Sequence, residues 1–148
     1  MNWGPPTWIF FHTLAEKIKE DSFPVIGQQL IGLIIKICCN LPCPDCSQHS
    51  KQFWARVKMV TLKNKQDLIH ILFIFHNMVN KRRRIPEFKK ENLGLYKEKK
   101  LLEVYNQFTR NFNTNGNMNL INDSFHRNMM LSSLKTWFIH NIQYFNIQ

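Results

Sequence analysis

The sequence predicts an all-α protein, because apolar residues recur at helical spacing in successive runs and nothing alternates with the period of two that a half-buried strand needs. No Asn-Gly pair joins two strand-like runs. Helix one is expected over Thr7 to Lys19, with Trp8, Phe11, Leu14, Ala15 and Ile18 on one side and Pro5 and Pro6 where a helix can begin. Helix two, Val25 to Cys39, carries Ile26, Leu30, Leu33, Ile34 and Ile37 and is closed by Asn40 and Pro42. A third runs from Cys43 to about Met59, with Pro44 tolerated in its first turn. After a polar break at Thr61 to Lys65, helix four spans Gln66 to Arg84 and stops before Pro86. A shorter fifth helix fits Glu91 to Phe108. The expected architecture is a four-helix bundle with that short fifth helix over residues 1–105, followed by an Asn-rich linker and a C-terminal extension over 106–148. The linker spans Asn106 to Asn122 with Gly116, and one more helix fits Phe125 to Ile147 with Ser124 as its N-cap.

With 148 residues and 44% hydrophobic content, the chain can bury one core but not two. Aromatic content of 13% and a mean hydropathy of -0.32 argue against wholesale disorder. A net charge of +10 points to an anionic partner, whether nucleic acid, membrane or a phosphate-bearing cofactor. The most apolar stretch, Phe23 to Cys39, is interrupted by Gln28, Gln29 and Lys36 and falls short of the ~20 residues of a spanning helix. It reads as a core helix, with no membrane partner. No signal-peptide pattern opens the chain, so a cytoplasmic location is expected.

All four cysteines lie between Cys38 and Cys46, whereas disulfides that staple a small fold join distant segments. Local clustering points to metal or redox chemistry. Cys43-Pro44-Asp45-Cys46 is a C-x-x-C at an expected helix start, where free backbone N–H groups and the helix dipole stabilise a thiolate. The thiolate attacks disulfides, so the pair can accept and pass on two electrons. A zinc half-site or two ordinary buried thiols fit the same spacing. A thioredoxin-like setting requires βαβ flanks, which are absent here, and no Gly-rich dinucleotide fingerprint is present.

Three motifs occur in order: Trp3-Gly4-x-x-x-Trp8-x-x-x-His12, then Cys43-x-x-Cys46-x-x-His49, then His76-Asn77-x-Val79-Asn80. Together they resemble the Erv/ALR family of FAD-linked sulfhydryl oxidases over about the first hundred residues. Trp8 and His12, Cys46 and His49, and His76 and Asn80 stand three or four apart, so each pair shares a helix face and the three faces can converge on one ligand. The resemblance implies a helical bundle enclosing FAD, with contacts from Gly4, Trp8, His12, Cys46, His49, His76, Asn77, Val79 and Asn80. It further implies that Cys43 exchanges with a substrate dithiol, that Cys46 faces the flavin, and that dioxygen is reduced to hydrogen peroxide.

Several positions depart from the family pattern. A cysteine common three residues before the His-Asn motif is here Phe73, and no cysteine follows Cys46, so a shuttle disulfide within the chain is ruled out. Cys43 is therefore expected to meet a protein dithiol substrate or a small thiol relay protein directly. The family's Leu and Lys after the second Asn are Arg83 and Ile85, so the phosphate contact passes to one of Lys81, Arg82, Arg83 and Arg84, with Arg84 or Arg83 favoured. Tyr96 is a candidate to cover the cofactor. Trp3-Gly4-Pro5 and the sparse cysteines are similar to sulfhydryl oxidases of large cytoplasmic DNA viruses, which implies action in a host cytoplasm and in the virion. A homodimer is expected from the wide apolar stripes of the first two helices.

Two other classes compete. Lys81 to Lys100 holds nine Lys or Arg against three Glu, which would suit salt-labile nucleic-acid binding, but no sequence-specific motif accompanies the charge. A zinc module built on Cys43, Cys46, His49 and either His76 or Cys39 obeys ligand rules yet leaves the aromatic motifs unexplained.

Overall fold

The computed structural model describes residues 2–112 and 121–148. Six α-helices are present among the described residues: α1 (Gly4–Lys17), α2 (Phe23–Cys38), α3 (Pro44–Arg56), α4 (Lys65–Arg82), α5 (Leu101–Phe112) and α6 (Ile121–Asn141). Short 3-10 turns precede α2 and α4, and a longer 3-10 segment, Lys90–Glu98, precedes α5. No strand occurs among the described residues, and the all-α expectation holds. The one exception to helical pairing is a single antiparallel bridge between Ile18 and Phe145.

Helix α1 begins earlier than expected because Pro5 and Pro6 occupy its first positions, where their missing N–H groups cost nothing. It is the centre of the molecule, with α4 on one side and α5 on another. Every residue from Phe10 to Ile18 is buried. An amphipathic stripe on one face was the expectation; the other face is enclosed as well. The reason is α5, whose Phe108 stacks on Phe10 with ring centroids 4.6 Å apart, while Phe138 of α6 lies 6.4 Å from the same ring. Even Lys17 is 5% exposed, its Nζ donating to the Lys97 carbonyl at 2.5 Å.

Helix α2, with the turn before it, forms a 19-residue span, Glu20–Cys38, of mean hydropathy 1.2. By length and composition that is enough to cross a membrane, which corrects the shorter reading from sequence. Half of this span is buried inside the chain. Ile26, Leu30, Ile31, Ile34 and Ile37 are all in the core, and α6 packs on the helix, where Trp137 Nε1 donates to Gln29 Oε1 at 2.9 Å.

The fifth helix departs most from expectation. Instead of one helix from Glu91 to Phe108, a 3-10 segment carries Tyr96 inward and α5 starts only at Leu101. From there Leu101, Val104, Phe108 and Phe112 recur at three- and four-residue intervals, all buried. The expected linker therefore begins as helix as far as Phe112; residues 113–120, including Gly116, lie outside the described residues. Ser124 is not an N-cap, because α6 has already started at Ile121. Nor does α6 reach Ile147. It ends at Asn141, since Phe145 turns into the core and the chain pairs with the exit of α1, Asn146 N donating to Lys17 O at 2.7 Å and Lys19 N to Tyr144 O at 3.0 Å.

Candidate active site

The dithiol motif stands at the N-terminus of α3. Cys43 is the N-cap and its sulfur accepts from Cys46 N at 3.2 Å, so one free helix donor is satisfied by the reactive residue itself. Cys43 and Cys46 are joined in a disulfide with Cα atoms 5.2 Å apart. Ser47 and Ser50 fix the turn from behind: Leu41 N donates to Ser47 Oγ at 2.9 Å, and Ser50 Oγ donates to the Cys46 carbonyl at 2.9 Å. Both cysteines are half-buried, and Pro44 and Asp45 between them are exposed.

Behind Cys46 opens a cavity of about 360 Å³. Helix α1 gives it Trp8 and Phe11, α3 gives Phe53, and α4 gives Phe75 and Val79. Its apolar floor is thus built from three helices. The rim differs, being made by His49, Arg56, Arg82 and Arg83 with Asp45. Gly4 stands at the near end of α1, also on the cavity wall. Cys38 reaches the cavity from α2; burial pushes its thiol far up, so it stays protonated and does not compete as a nucleophile.

On the other side of Trp8 lies a second aromatic layer. The Trp8 indole stacks on the His76 imidazole at 4.1 Å and 7°. His12 Nε2 and His76 Nδ1 are 2.9 Å apart, one nitrogen donating to the other. Phe88 stacks on both rings, at 5.3 Å from His12 and 4.8 Å from His76, and Tyr96 stacks on His12 at 4.9 Å. Burial, and then the neighbouring His76, pushes His12 down to about 3; burial pushes His76 down to about 4. Both are neutral at physiological pH, and two imidazolium ions could not share the one hydrogen bond.

That pair makes the fold acid-sensitive. In the unfolded chain each imidazole titrates near pH 6.5, so on acidification the unfolded state takes up protons first and stability falls. The contribution is complete above about pH 6.5 and is lost as the pH drops toward the folded-state values near 4 and 3. Between pH 7 and 5 the expected loss is about 2–4 kcal/mol, measured by urea unfolding across that range. Replacing both His12 and His76 by Gln is expected to flatten the dependence.

The structure sorts the residues expected at the site. Gly4, Trp8, Cys46, His49, Val79 and Arg83 line the cavity. His12 and His76 stand one layer behind Trp8. Asn77 faces the loop after α4: its Nδ2 donates to the Phe88 carbonyl at 3.0 Å and its Oδ1 accepts from Phe88 N at 2.8 Å. Asn80 is buried, and its carbonyl accepts from Ile85 N at 2.9 Å. Arg84 takes a positive φ of 56° just past the end of α4. Its N–H reaches the Lys81 carbonyl, completing a two-bond helix stop of the kind usually built on glycine. Arg84 is therefore a backbone pivot outside the cavity, and Arg83 is the arginine of the two that reaches the rim.

Sequence reasoning passed over Phe88 and the contact between Asp45 and Arg82. Phe88 sits in a loop, where no periodicity marks an inward side chain. Arg82 is bonded to Asp45, with Nη2 3.0 Å from Oδ2, across a sequence gap that no local pattern signals. The zinc alternative has no donor set among the described residues: no three His, Cys, Asp or Glu side chains gather, and the two leading thiols are bonded to each other.

A disulfide at a helix start, opening onto an aromatic-walled cavity inside an all-α bundle, defines a helical thiol–disulfide oxidoreductase. Residues 5–101 match the model of the Erv1 / Alr family. The chain belongs to that family. Proteins named FAD-linked sulfhydryl oxidase from two isolates of African swine fever virus are each 30% identical over 82 residues, covering 55% of this chain and 68% of theirs. A protein of Invertebrate iridescent virus 3 is 27% identical over 86 residues, 57% of this chain and 58% of its own length. No solved structure matches the chain significantly.

Proposed function

We propose that this chain is an FAD-dependent thiol oxidase that makes disulfide bonds in protein substrates. The observation that carries the reading is the position of Cys46, which is half of an exchangeable disulfide and also part of the wall of the cavity. The residues present fit the cofactor. A cavity of about 360 Å³ is within the range for small-molecule sites, its aromatic and aliphatic floor suits a flat ring system, and Arg56 and Arg83 at the rim suit a diphosphate.

Chemistry at the chain's own atoms starts at Cys43. A substrate thiolate attacks its sulfur, the Cys43–Cys46 bond breaks, and the electron pair leaves on Cys46 as thiolate. The second substrate thiol then attacks the mixed disulfide and releases Cys43, so substrate leaves oxidised and the couple is reduced. The dipole at the start of α3 stabilises the thiolate leaving group. FAD held against Trp8 and Phe53 would supply the acceptor for this electron pair and the chemistry by which dioxygen becomes hydrogen peroxide. Trp8, backed by His76 and His12, holds a rigid apolar wall and keeps water from the reduced couple.

Proteins or small relay proteins presenting two thiols are the substrates this scheme requires. Since these relatives are viral, the setting in view is infected-cell cytoplasm, where thiols are otherwise kept reduced. A homodimer would leave out the Phe10–Ile18 stretch, which is enclosed by its own chain; the exposed apolar side chains open to a second copy include Val25 of α2 and Ile139 of α6. The test of the function is an absorption spectrum of the purified protein before and after dithiothreitol under air. A flavin band that bleaches and returns, with oxygen consumed, is expected. Colourless protein that takes up no FAD overturns the reading.

A further inference from the structure

The segment between the two cysteines carries a charge that its chemistry does not favour. Asp45 adjoins Cys46, and a carboxylate close to a thiol opposes ionisation of that thiol. This works against the helix start, which promotes it. Arg82, in the last turn of α4, reaches across and places Nη2 3.0 Å from Asp45 Oδ2. Both side chains are open to solvent, 44% and 78% exposed, so the pair adds little to the stability of the fold. Its location is the informative feature, because both residues stand on the cavity rim beside Cys46.

Building on the thiol oxidase reading, we propose that Arg82 is a positioning residue for the Cys43–Cys46 couple. Its guanidinium, held by Asp45, cancels the carboxylate's charge and so keeps the reduced couple in the thiolate form that exchanges disulfides. The other charged or titratable groups at the cavity come from the elements around it. Helix α3 adds His49, whose Nε2 is 3.6 Å from Asp45 Oδ1, and Arg56; α4 adds Arg83; α2 brings the protonated Cys38; and the wall given by α1 bears no charge. Arg82 is the one arginine or lysine ion-paired with Asp45 among the described residues. A guanidinium keeps its charge throughout the range in which thiols titrate.

The test uses the full chain in a Cys39→Ser background, reduced anaerobically, and follows alkylation of the couple by iodoacetamide, a neutral probe, from pH 5 to 9. Cys38 is buried and does not contribute. Arg82→Gln is expected to move the profile up by about one pH unit and to slow alkylation at pH 7 by about three- to tenfold. Arg82→Lys, which keeps the charge, is expected to follow the parent, and Asp45→Asn/Arg82→Gln to return to it, since no carboxylate is left to offset. A profile for Arg82→Gln that overlays the parent overturns the proposal, as does a shift that persists in the double variant. Visible absorption of the same samples before reduction reports on the flavin separately. Absence of colour in the parent counts against the oxidase reading, whereas the alkylation profile judges Arg82 with or without bound flavin.

Discussion

With Cys46 replaced by serine, oxygen consumption driven by a dithiol is expected to fall by about a thousandfold or more, while the protein stays yellow and keeps its thermal melt. Cys46 is where two functions meet: it leaves as thiolate when substrate attacks Cys43, and it is the cysteine of the pair that lines the cavity. A serine alkoxide is far too basic to serve in either. The fold should be indifferent to the change, because the side chain is half-buried and the turn is fixed instead by Ser47 and Ser50. Oxygen uptake by polarography with dithiothreitol as donor checks the activity, and circular dichroism checks the fold. Retained turnover would remove Cys46 from the electron path.

Truncating Phe108 to alanine is expected to destabilise the protein by about 3–5 kcal/mol, a large part of the total stability of a domain this size. Phe108 is fully buried and touches two other rings, Phe10 at 4.6 Å and Phe112 at 4.8 Å. Its loss leaves a cavity against the central helix, and no mobile side chain stands ready to fill it, because Phe10 is itself wedged by Tyr105 and Phe138. The measurement is equilibrium unfolding in urea, read by tryptophan fluorescence. Leu102, on the same helix but 48% exposed, gives the contrast; its replacement by alanine should change stability by about 0.5 kcal/mol or less.

These two residues mark the limits of what the sequence discloses. Cys46 was legible because chemistry fixes its spacing: a dithiol needs Cys-x-x-Cys, a helix start needs Pro44 or its like, and both are local. Trp8, His49 and Val79 came instead from the resemblance to the Erv/ALR family, and all three stand on the cavity wall. Phe108 was half legible. Its stripe with Leu101, Val104 and Phe112 is periodic, yet it is threaded with Asn106 and Asn111, whose abundance suggested a linker. Asparagine costs a helix only a few tenths of a kcal/mol relative to its neighbours in rank, and burying two phenylalanines outweighs that by a wide margin.

Other features were not legible, since they depend on where distant segments meet. A run of apolar residues reports one buried face of α1, but not the arrival of α5 and α6 on the other. The stop after Arg84 was marked by Pro86, yet nothing in the residues indicated that Arg84 would accept a backbone state for which glycine is suited, or that Asn77 would clasp the Phe88 backbone. The Asp45–Arg82 contact belongs to the same class.

The encirclement of α1 has an implication for how this protein can change over generations. Most helices possess a wet side on which mutations accumulate without harm, but from Phe10 to Ile18 this one has none. Drift there must be matched by compensating changes in several partners at once. The segment should therefore be the slowest to diverge, leaving innovation to the outward side of α3.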